Sequence, residues 1–205
     1  MRGIIVRAAE RRESVRAVGA GHSSSPLVAT QGRLISLEHM NGLESHDAAR
    51  KTATIGAGMT LSRAGAALFD AGLAMHNLGD IDEQTVTGAI ATGTHGSGGT
   101  LQNLATMLVG GRVVDGTGQT VDFDFDTDPQ FVRAARCSLG LLGVFVSIRL
   151  QLVQPYRLDR KESWARTDAV LAALSELIDR NRNFDFYWYP RSDGAKVRTM
   201  NEDGH

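Results

Sequence analysis

The sequence GAGHSSSP, from Gly19 to Pro26, places one histidine between a glycine-rich turn and three serines. A second stretch, GDIDEQTVTGAIATGTHGSGG from Gly79 to Gly99, holds six glycines and shows helical periodicity only around residues 86–91. Long irregular segments of this kind usually serve a ligand. Their backbone N–H groups and interleaved hydroxyls can form a concave site for a diphosphate. On these residues alone, such a site and two ordinary turns are equally well supported.

The common phosphate-binding fingerprints are absent from both stretches. GAGHSS offers G-x-G without the third glycine of a dinucleotide-binding turn, and GTHGSG does not follow a good strand. The chain contains no Gly-Lys-Ser/Thr sequence for a P-loop and no G-x-S-x-G sequence for a hydrolase elbow. The sequence therefore favours neither a nicotinamide-binding Rossmann site, nor a nucleoside triphosphatase, nor a serine hydrolase.

The composition predicts a globular protein without a nucleic-acid partner. Hydrophobic residues make up 42% of the 205 residues, and 22 basic against 23 acidic side chains leave a net charge of -1. Neither a signal-peptide core nor a run of about 18 apolar residues is present, so membrane association is not indicated. The single cysteine, Cys137, excludes an intramolecular disulfide and fits a reducing compartment. We therefore expect a cytoplasmic protein.

Local patterns predict a chain of mixed helices and short strands. Thr60 is a suitable N-cap for a helix that Gly72 would end, and alternating Val144, Val146, Ile148 and Leu150 indicate a half-buried strand. Helices are predicted over residues 3–12, 61–71, 86–91, 129–136 and 168–178, and strands over 15–18, 33–37, 51–56, 109–114, 120–125, 144–153 and 184–190.

A domain boundary is predicted at Gln154-Pro155, where a proline closes a strand and the composition becomes more charged. Beyond it lie an apolar helical stripe from Val170 to Ile178 and the aromatic sequence FDFYWYP. The remaining sequence is too short to bury both, so we expect a fragment or a truncated product.

Several single residues carry more than one interpretation. His22 and His95 sit in similar glycine contexts, but a zinc site would need a third ligand that the sequence does not identify, so no metal is predicted. The carboxylates of GDIDE could form a general acid/base pair, although aspartate in such a turn more often bonds its own backbone. Cys137 is predicted to be a small buried thiol. The remaining histidines are expected to be structural or solvated; they are His39, His46, His76 and His205.

Four motifs occur together in the order seen in one flavoprotein branch: VRAVGAGHSSSPLV, NLGDIDEQTVTGAIATGTHGSG, ARCSLGLLGV and FDFYWYP. From about Val15 to Met200 the chain resembles the sugar-lactone oxidase branch of the vanillyl-alcohol-oxidase family, which includes gulonolactone, arabinonolactone and alditol oxidases. The resemblance implies an α+β fold with a two-subdomain FAD-binding domain over residues 1–153, incomplete at its N-terminal edge. It implies the truncated start of an α+β substrate, or cap, domain over residues 154–205.

The resemblance also implies FAD as the cofactor, bound covalently at His22 as in many members of the family. It implies three groups of cofactor-binding residues. The first loop contributes Gly19, Ala20, Gly21, His22, Ser23 and Ser24. The second contributes Gly79, Asp80, Ile81, Thr87, Gly88, Ala89, Thr92, Gly93, Thr94 and His95. The third contributes Ser138, Gly140, Gly143 and Val144.

The implied reaction is oxidation of a secondary alcohol of a sugar lactone or polyol, with hydride passing to flavin N5 and electrons to oxygen or another acceptor. The catalytic base of this family lies in the C-terminal domain, beyond residue 205, so no catalytic residue is assigned. Two alternatives remain. One is a flavin-binding remnant without catalysis, and the other is a hydroxy-acid dehydrogenase of the same superfamily, which GHSSSP and FDFYWYP argue against.

Overall fold

A helix and a two-stranded parallel sheet form the N-terminal part of the chain in the computed structural model, which describes residues 1–203. Helix α1 spans Arg2–Glu10, and strands β1 and β2 span Val15–Val18 and Arg33–Ser36. The strands pair with Val15 opposite Arg33. Helix α1 buries Ile5 and Ala8, which follow the predicted helical spacing.

The largest sheet has five antiparallel strands in the order β3-β4-β7-β5-β6. Its strands are β3 (Leu43–Asp47), β4 (Thr52–Gly56), β5 (Leu108–Val114), β6 (Thr120–Asp124) and β7 (Val144–Gln151). The predicted hairpin of β5 and β6 is present, with Val114 opposite Thr120. Strand β3 was not predicted, because this edge strand exposes its last four residues and shows no hydrophobic alternation.

The central strand β7 is more buried than the predicted half-buried pattern allows. Phe145 is 5% exposed and Ser147 is 4% exposed, although the prediction placed Ser147 on a solvated face. The register shifts between Arg112 and Val113 of the neighbouring strand β5, so the side chains of β7 do not alternate regularly between the two faces. The prediction of a half-buried β7 is therefore wrong: the register shift interrupts the alternation on which it rested, and five of the eight residues are buried.

Three helices pack against this sheet: α2 (Leu61–Asp70), α3 (Val86–Ala91) and α4 (Pro129–Ala135). The predicted cap of α2 is confirmed, since Thr60 Oγ1 accepts from the N–H of Arg63. Gly72 follows this helix at φ +72°, as a C-terminal glycine should. A 3-10 turn, Leu104–Met107, leads into β5.

The C-terminal part forms a three-stranded antiparallel sheet in the order β8-β10-β9. Its strands are β8 (Leu158–Arg166), β9 (Asn183–Trp188) and β10 (Gly194–Glu202). Two helices, α5 (Thr167–Ala172) and α6 (Leu174–Arg180), replace the single predicted helix because the backbone breaks at Ala173. His205 lies outside the described residues.

Two separate hydrophobic clusters bury the apolar side chains of these sheets. The larger unites α1 and the first seven strands around fully buried residues such as Ile55 and Leu68. The smaller joins Val170 and Phe184 to Ala195 and Val197. Several apolar side chains of the C-terminal part lie outside both clusters and are exposed; they are Trp164, Leu171, Ile178, Tyr187, Trp188 and Tyr189.

Candidate functional site

Three segments that are distant in sequence line one open cleft, which encloses about 1030 Å³ of empty space including its mouth. They are residues 16–28, 84–92 and 139–145, joined by Leu37 and Ala57. The cleft thus lies where the small parallel sheet, helix α3 and the start of β7 meet.

The first wall is the predicted glycine/serine loop. Gly19 approaches helix α3 so closely that a Cβ atom at this position would lie 2.2 Å from Thr85 Oγ1. Gly21 has φ +74°, a conformation that favours glycine. His22 and Ser23 follow on the cleft surface, and both side chains are exposed.

The second wall is helix α3 and the residues before it. Thr85 is 7% exposed, and its Oγ1 accepts from the N–H of Gly88 at 3.2 Å, which fixes the start of the helix. Thr87 also lines the cleft, but its Oγ1 is buried without a hydrogen-bond partner among the described residues. An unpartnered buried hydroxyl costs free energy that a ligand can offset.

The third wall is the turn before β7. The N–H groups of Cys137 and Leu139 donate to the carbonyls of Ile90 and Ala91, which fixes this turn on the end of α3. Leu139, Gly140 and Gly143 all have positive φ. The prediction of a buried thiol at Cys137 is wrong: this side chain is exposed, because the left-handed turn directs it away from the core.

Arg16 is the one lining residue with a permanent charge. Its side chain forms no hydrogen bond or ion pair with the rest of residues 1–203, so the guanidinium is a cation that no protein charge compensates. Arg16 is not among the predicted cofactor-binding residues, because the predicted first loop begins only at Gly19. Its place in strand β1, directly before the first loop, was the available signal.

The cleft brings together members of all three predicted groups. Those that line it are Gly19, Ala20, Gly21, His22, Ser23, Thr87, Gly88, Ala89, Thr92, Gly140 and Gly143. Predicted residues that do not line it are Ser24, Gly79, Asp80, Ile81, Gly93, Thr94, His95, Ser138 and Val144. Lining residues that were not predicted include Arg16, Leu27, Gln84, Leu139 and Phe145.

Several of these outlying residues have other contacts. His95 is exposed and its Nδ1 bonds the carbonyl of Gly96 at 2.9 Å. Thr94 Oγ1 accepts from the Gln84 amide at 3.4 Å. Asp80 forms an ion pair with Arg198 of β10 at 2.8 Å. Hydrogen bonds from Arg198 hold the pKa of Asp80 below its ordinary value, so Asp80 is ionised at neutral pH.

A metal site and a membrane-spanning helix are both absent from residues 1–203. No group of three metal-ligating side chains comes together there. In the same part of the chain, no helix is both long enough and apolar enough to cross a membrane.

A dinucleotide with an anionic diphosphate and an apolar ring fits the residues present. The cleft offers the unpaired guanidinium of Arg16 and the unpartnered hydroxyl of Thr87. Glycine and alanine along the first loop and α3 allow close backbone approach, and Leu27, Val28 and Phe145 supply apolar surface.

An open cleft with glycine-rich walls and one cation defines a module for a nucleotide-type cofactor. Residues 2–124 match the family described as FAD binding domain, and the chain belongs to that family. Residues 148–204 match the family described as D-arabinono-1,4-lactone oxidase. The predicted resemblance to the sugar-lactone oxidase branch and the prediction of FAD as cofactor are thereby confirmed.

Curated relatives of the chain are named as sugar-lactone dehydrogenases or oxidases. The chain is 36% identical over 197 residues to L-gulono-1,4-lactone dehydrogenase of Mycobacterium tuberculosis, and 31% identical to L-gulonolactone oxidase of Scyliorhinus torazame. In both cases the alignment covers 96% of this chain and 45% of the relative. It is 28% identical to D-arabinono-1,4-lactone oxidase of Kluyveromyces lactis, over 91% of this chain and 36% of that protein. The chain therefore spans less than half the length of these relatives.

Solved structures confirm the predicted α+β fold class. An alkyldihydroxyacetonephosphate synthase superposes with a TM-score of 0.83 at 14% identity, covering 98% of this chain and 44% of that one. The 6-hydroxy-D-nicotine oxidase of Arthrobacter nicotinovorans gives 0.79 at 20% identity, with 98% and 47% covered. At these identities the likeness establishes the fold.

Proposed function

We propose that this chain is the cofactor-binding part of an FAD-dependent oxidoreductase that oxidises a secondary alcohol of a sugar lactone. The observation that carries the proposal is the convergence of residues 16–28, 84–92 and 139–145 on one cleft with an unpaired cation. The names of the lactone-oxidising relatives support the substrate class. A polyol is the second substrate class that the four sequence motifs support.

When bound, FAD supplies the acceptor for the hydride removed from the carbinol carbon. The residues of this chain bind and orient it. Backbone N–H groups of residues 19–23 and the guanidinium of Arg16 would hold the diphosphate. The hydroxyl of Thr87 would gain its missing partner, and Leu139 and Phe145 would exclude water from apolar parts of the ligand.

We further propose that His22 is bonded covalently to the cofactor. Its exposed imidazole lies on the cleft wall, directly after the first glycine turn. The new bond would join a ring nitrogen of His22 to the 8α carbon of the flavin. Formation of this C–N bond breaks one C–H bond of the flavin methyl group and one N–H bond of the imidazole. Two protons are released, and two electrons pass to the terminal acceptor, which is oxygen or another oxidant.

FAD uptake and lactone-dependent bleaching test the two parts of this function separately. Titration of the protein with FAD should quench the flavin fluorescence. Anaerobic addition of L-gulono-1,4-lactone or D-arabinono-1,4-lactone to the FAD-loaded protein should then bleach the visible flavin absorbance, with xylitol as the polyol comparison. Uptake without bleaching by any of these would leave a flavin-binding protein without lactone oxidation. Failure of uptake would contradict the function as a whole.

In a His22→Ala background, where FAD stays dissociable, Arg16→Gln is expected to weaken FAD binding about 10- to 150-fold, because a charge-assisted hydrogen bond to phosphate is worth about 1.5–3 kcal/mol. Since salt screens such pairs, affinity of the unmodified protein should fall with ionic strength more steeply than affinity of the variant. Arg63→Gln is the control, because the exposed Arg63 lies on α2, outside the cleft. Equal affinities of the Arg16 variant and the unmodified protein at low salt would show that Arg16 does not contact phosphate.

A further inference from the structure

Asp80 lies in the glycine-rich second stretch, yet its carboxylate points to the C-terminal sheet. Both of its oxygens accept from Arg198, at 2.8 Å from Nη1 and 2.9 Å from Nη2. The hydroxyl of Tyr187 donates to the same carboxylate at 3.0 Å. These partners lie on β9 and β10, more than 100 residues away in sequence.

Arg198 is held firmly at this contact. Its side chain is only 10% exposed, and Asp185 on the neighbouring strand accepts from Nε at 3.0 Å and from Nη2 at 2.7 Å. Two carboxylates therefore compensate one buried guanidinium in a planar, bidentate arrangement. Because Asp185 keeps Arg198 paired, the Asp80 carboxylate is the additional partner that connects the two parts of the chain.

A second set of contacts joins Arg182 and Asn183, at the start of β9, to residues beside either end of the second stretch. Arg182 Nη2 donates to the carbonyl of His76 at 2.7 Å, and Asn183 Nδ2 donates to the carbonyl of Ser97 at 2.7 Å. Asn183 and Asn77 are 2% and 3% exposed. The C-terminal sheet thus contacts residues 76–80 at both ends of this short segment.

This segment leads directly into the second wall of the cleft. Gln84 and Thr85 line the cleft only four and five residues after Asp80. The backbone between them is attached to the start of α2, where Ser62 N donates to the carbonyl of Asp82 and Leu61 N to that of Gln84. The hydrogen bonds from β10 to Asp80 and four residues of anchored backbone therefore connect β10 to the cleft wall.

We propose that Asp80, Asp185, Tyr187 and Arg198 form a latch that couples docking of the C-terminal sheet to cofactor binding, with Asp80 as a positioning residue outside the cofactor contacts. This inference rests on the proposed binding of FAD in the cleft. With the latch closed, residues 80–85 are already ordered for the ligand, so less ordering free energy is lost on binding. By reciprocity, the bound cofactor stabilises the docked sheet.

The test compares Asp80→Ala, Arg198→Met and the double variant, each made together with His22→Ala so that FAD stays dissociable, by FAD titration and by hydrogen exchange of the cofactor-free protein. The latch predicts that each single variant loses FAD affinity about tenfold and that the double variant loses no more than either. Amide exchange in residues 79–85 should become faster in all three. Asp82→Ala is the matched control, since the side chain of this exposed neighbour in the same loop forms no hydrogen bond or ion pair with the rest of residues 1–203.

Each other outcome has a defined meaning. Loss of affinity in Asp80→Ala but not in Arg198→Met would show that Asp80 acts on the cofactor directly and would overturn the latch. The latch is also overturned, while the proposed FAD site stands, if both variants bind FAD as tightly as the protein with an intact latch. If the unmodified protein takes up no FAD, the proposed function and the coupling both fail. Because Arg198 is buried, thermal unfolding of Arg198→Met is measured alongside. If that variant does not fold, Tyr187→Phe, which removes only the hydroxyl that donates to Asp80, takes its place in the comparison.

Discussion

Replacing His22 with alanine is expected to abolish all acid-stable flavin in this protein. The reason is chemical, because a ring nitrogen on the cleft wall is the proposed bonding partner and alanine offers none. The measurement is precipitation of purified protein with acid, followed by the yellow colour of the washed pellet. In the unmodified protein the colour should stay in the pellet, and in His22→Ala it should pass entirely into the supernatant.

His95→Ala provides the matched comparison for this experiment. His95 has a similar glycine context in the sequence, but its side chain lies outside the cleft and bonds the carbonyl of Gly96. It should retain the acid-stable colour. A pellet that is colourless only in the His95 variant would transfer the tether to that residue. A colourless pellet from the unmodified protein would leave a dissociable FAD site and no tether.

The largest loss of stability is expected for Gly58→Ala. Gly58 is buried between β4 and α2, and a Cβ atom there would lie 1.7 Å from the carbonyl oxygen of Leu37. Because the clashing atom belongs to the backbone, the connection from β2 must move. We expect a loss of roughly 3 kcal/mol, the upper part of the range for overpacking. This corresponds to a decrease in Tm of roughly 6–12 °C.

Leu37 and Ala57 also line the cleft, so Gly58→Ala should weaken FAD binding as well. Gly65→Ala is the control for the same chemical change. Nothing lies within 4 Å of a Cβ atom at Gly65, which is inside helix α2. Alanine should therefore raise stability there by about 0.5–1 kcal/mol. Thermal unfolding by circular dichroism measures both variants, and equal Tm values for the two would contradict the steric explanation.

Much of the architecture could be predicted because its signals are local. Thr60 and Gly72 mark the ends of α2 through capping chemistry, and the apolar spacing of α1 is visible within one window. Strand β3 could not be predicted in this way, because its exposed polar residues acquire their strand conformation by pairing with β4. The break at Ala173 likewise has no sequence signal of the glycine or proline kind.

The sequence by itself determined the family, the fold class and the first wall of the cleft, because glycine turns, caps and ordered motifs are properties of neighbouring residues. Only the tertiary structure decided which residues share the cleft. It placed Arg16 there without a partner and brought Asp80 to Arg198 across 118 residues. The physical reason is that an ion pair or a cavity wall depends on distances between segments, and sequence spacing does not contain those distances.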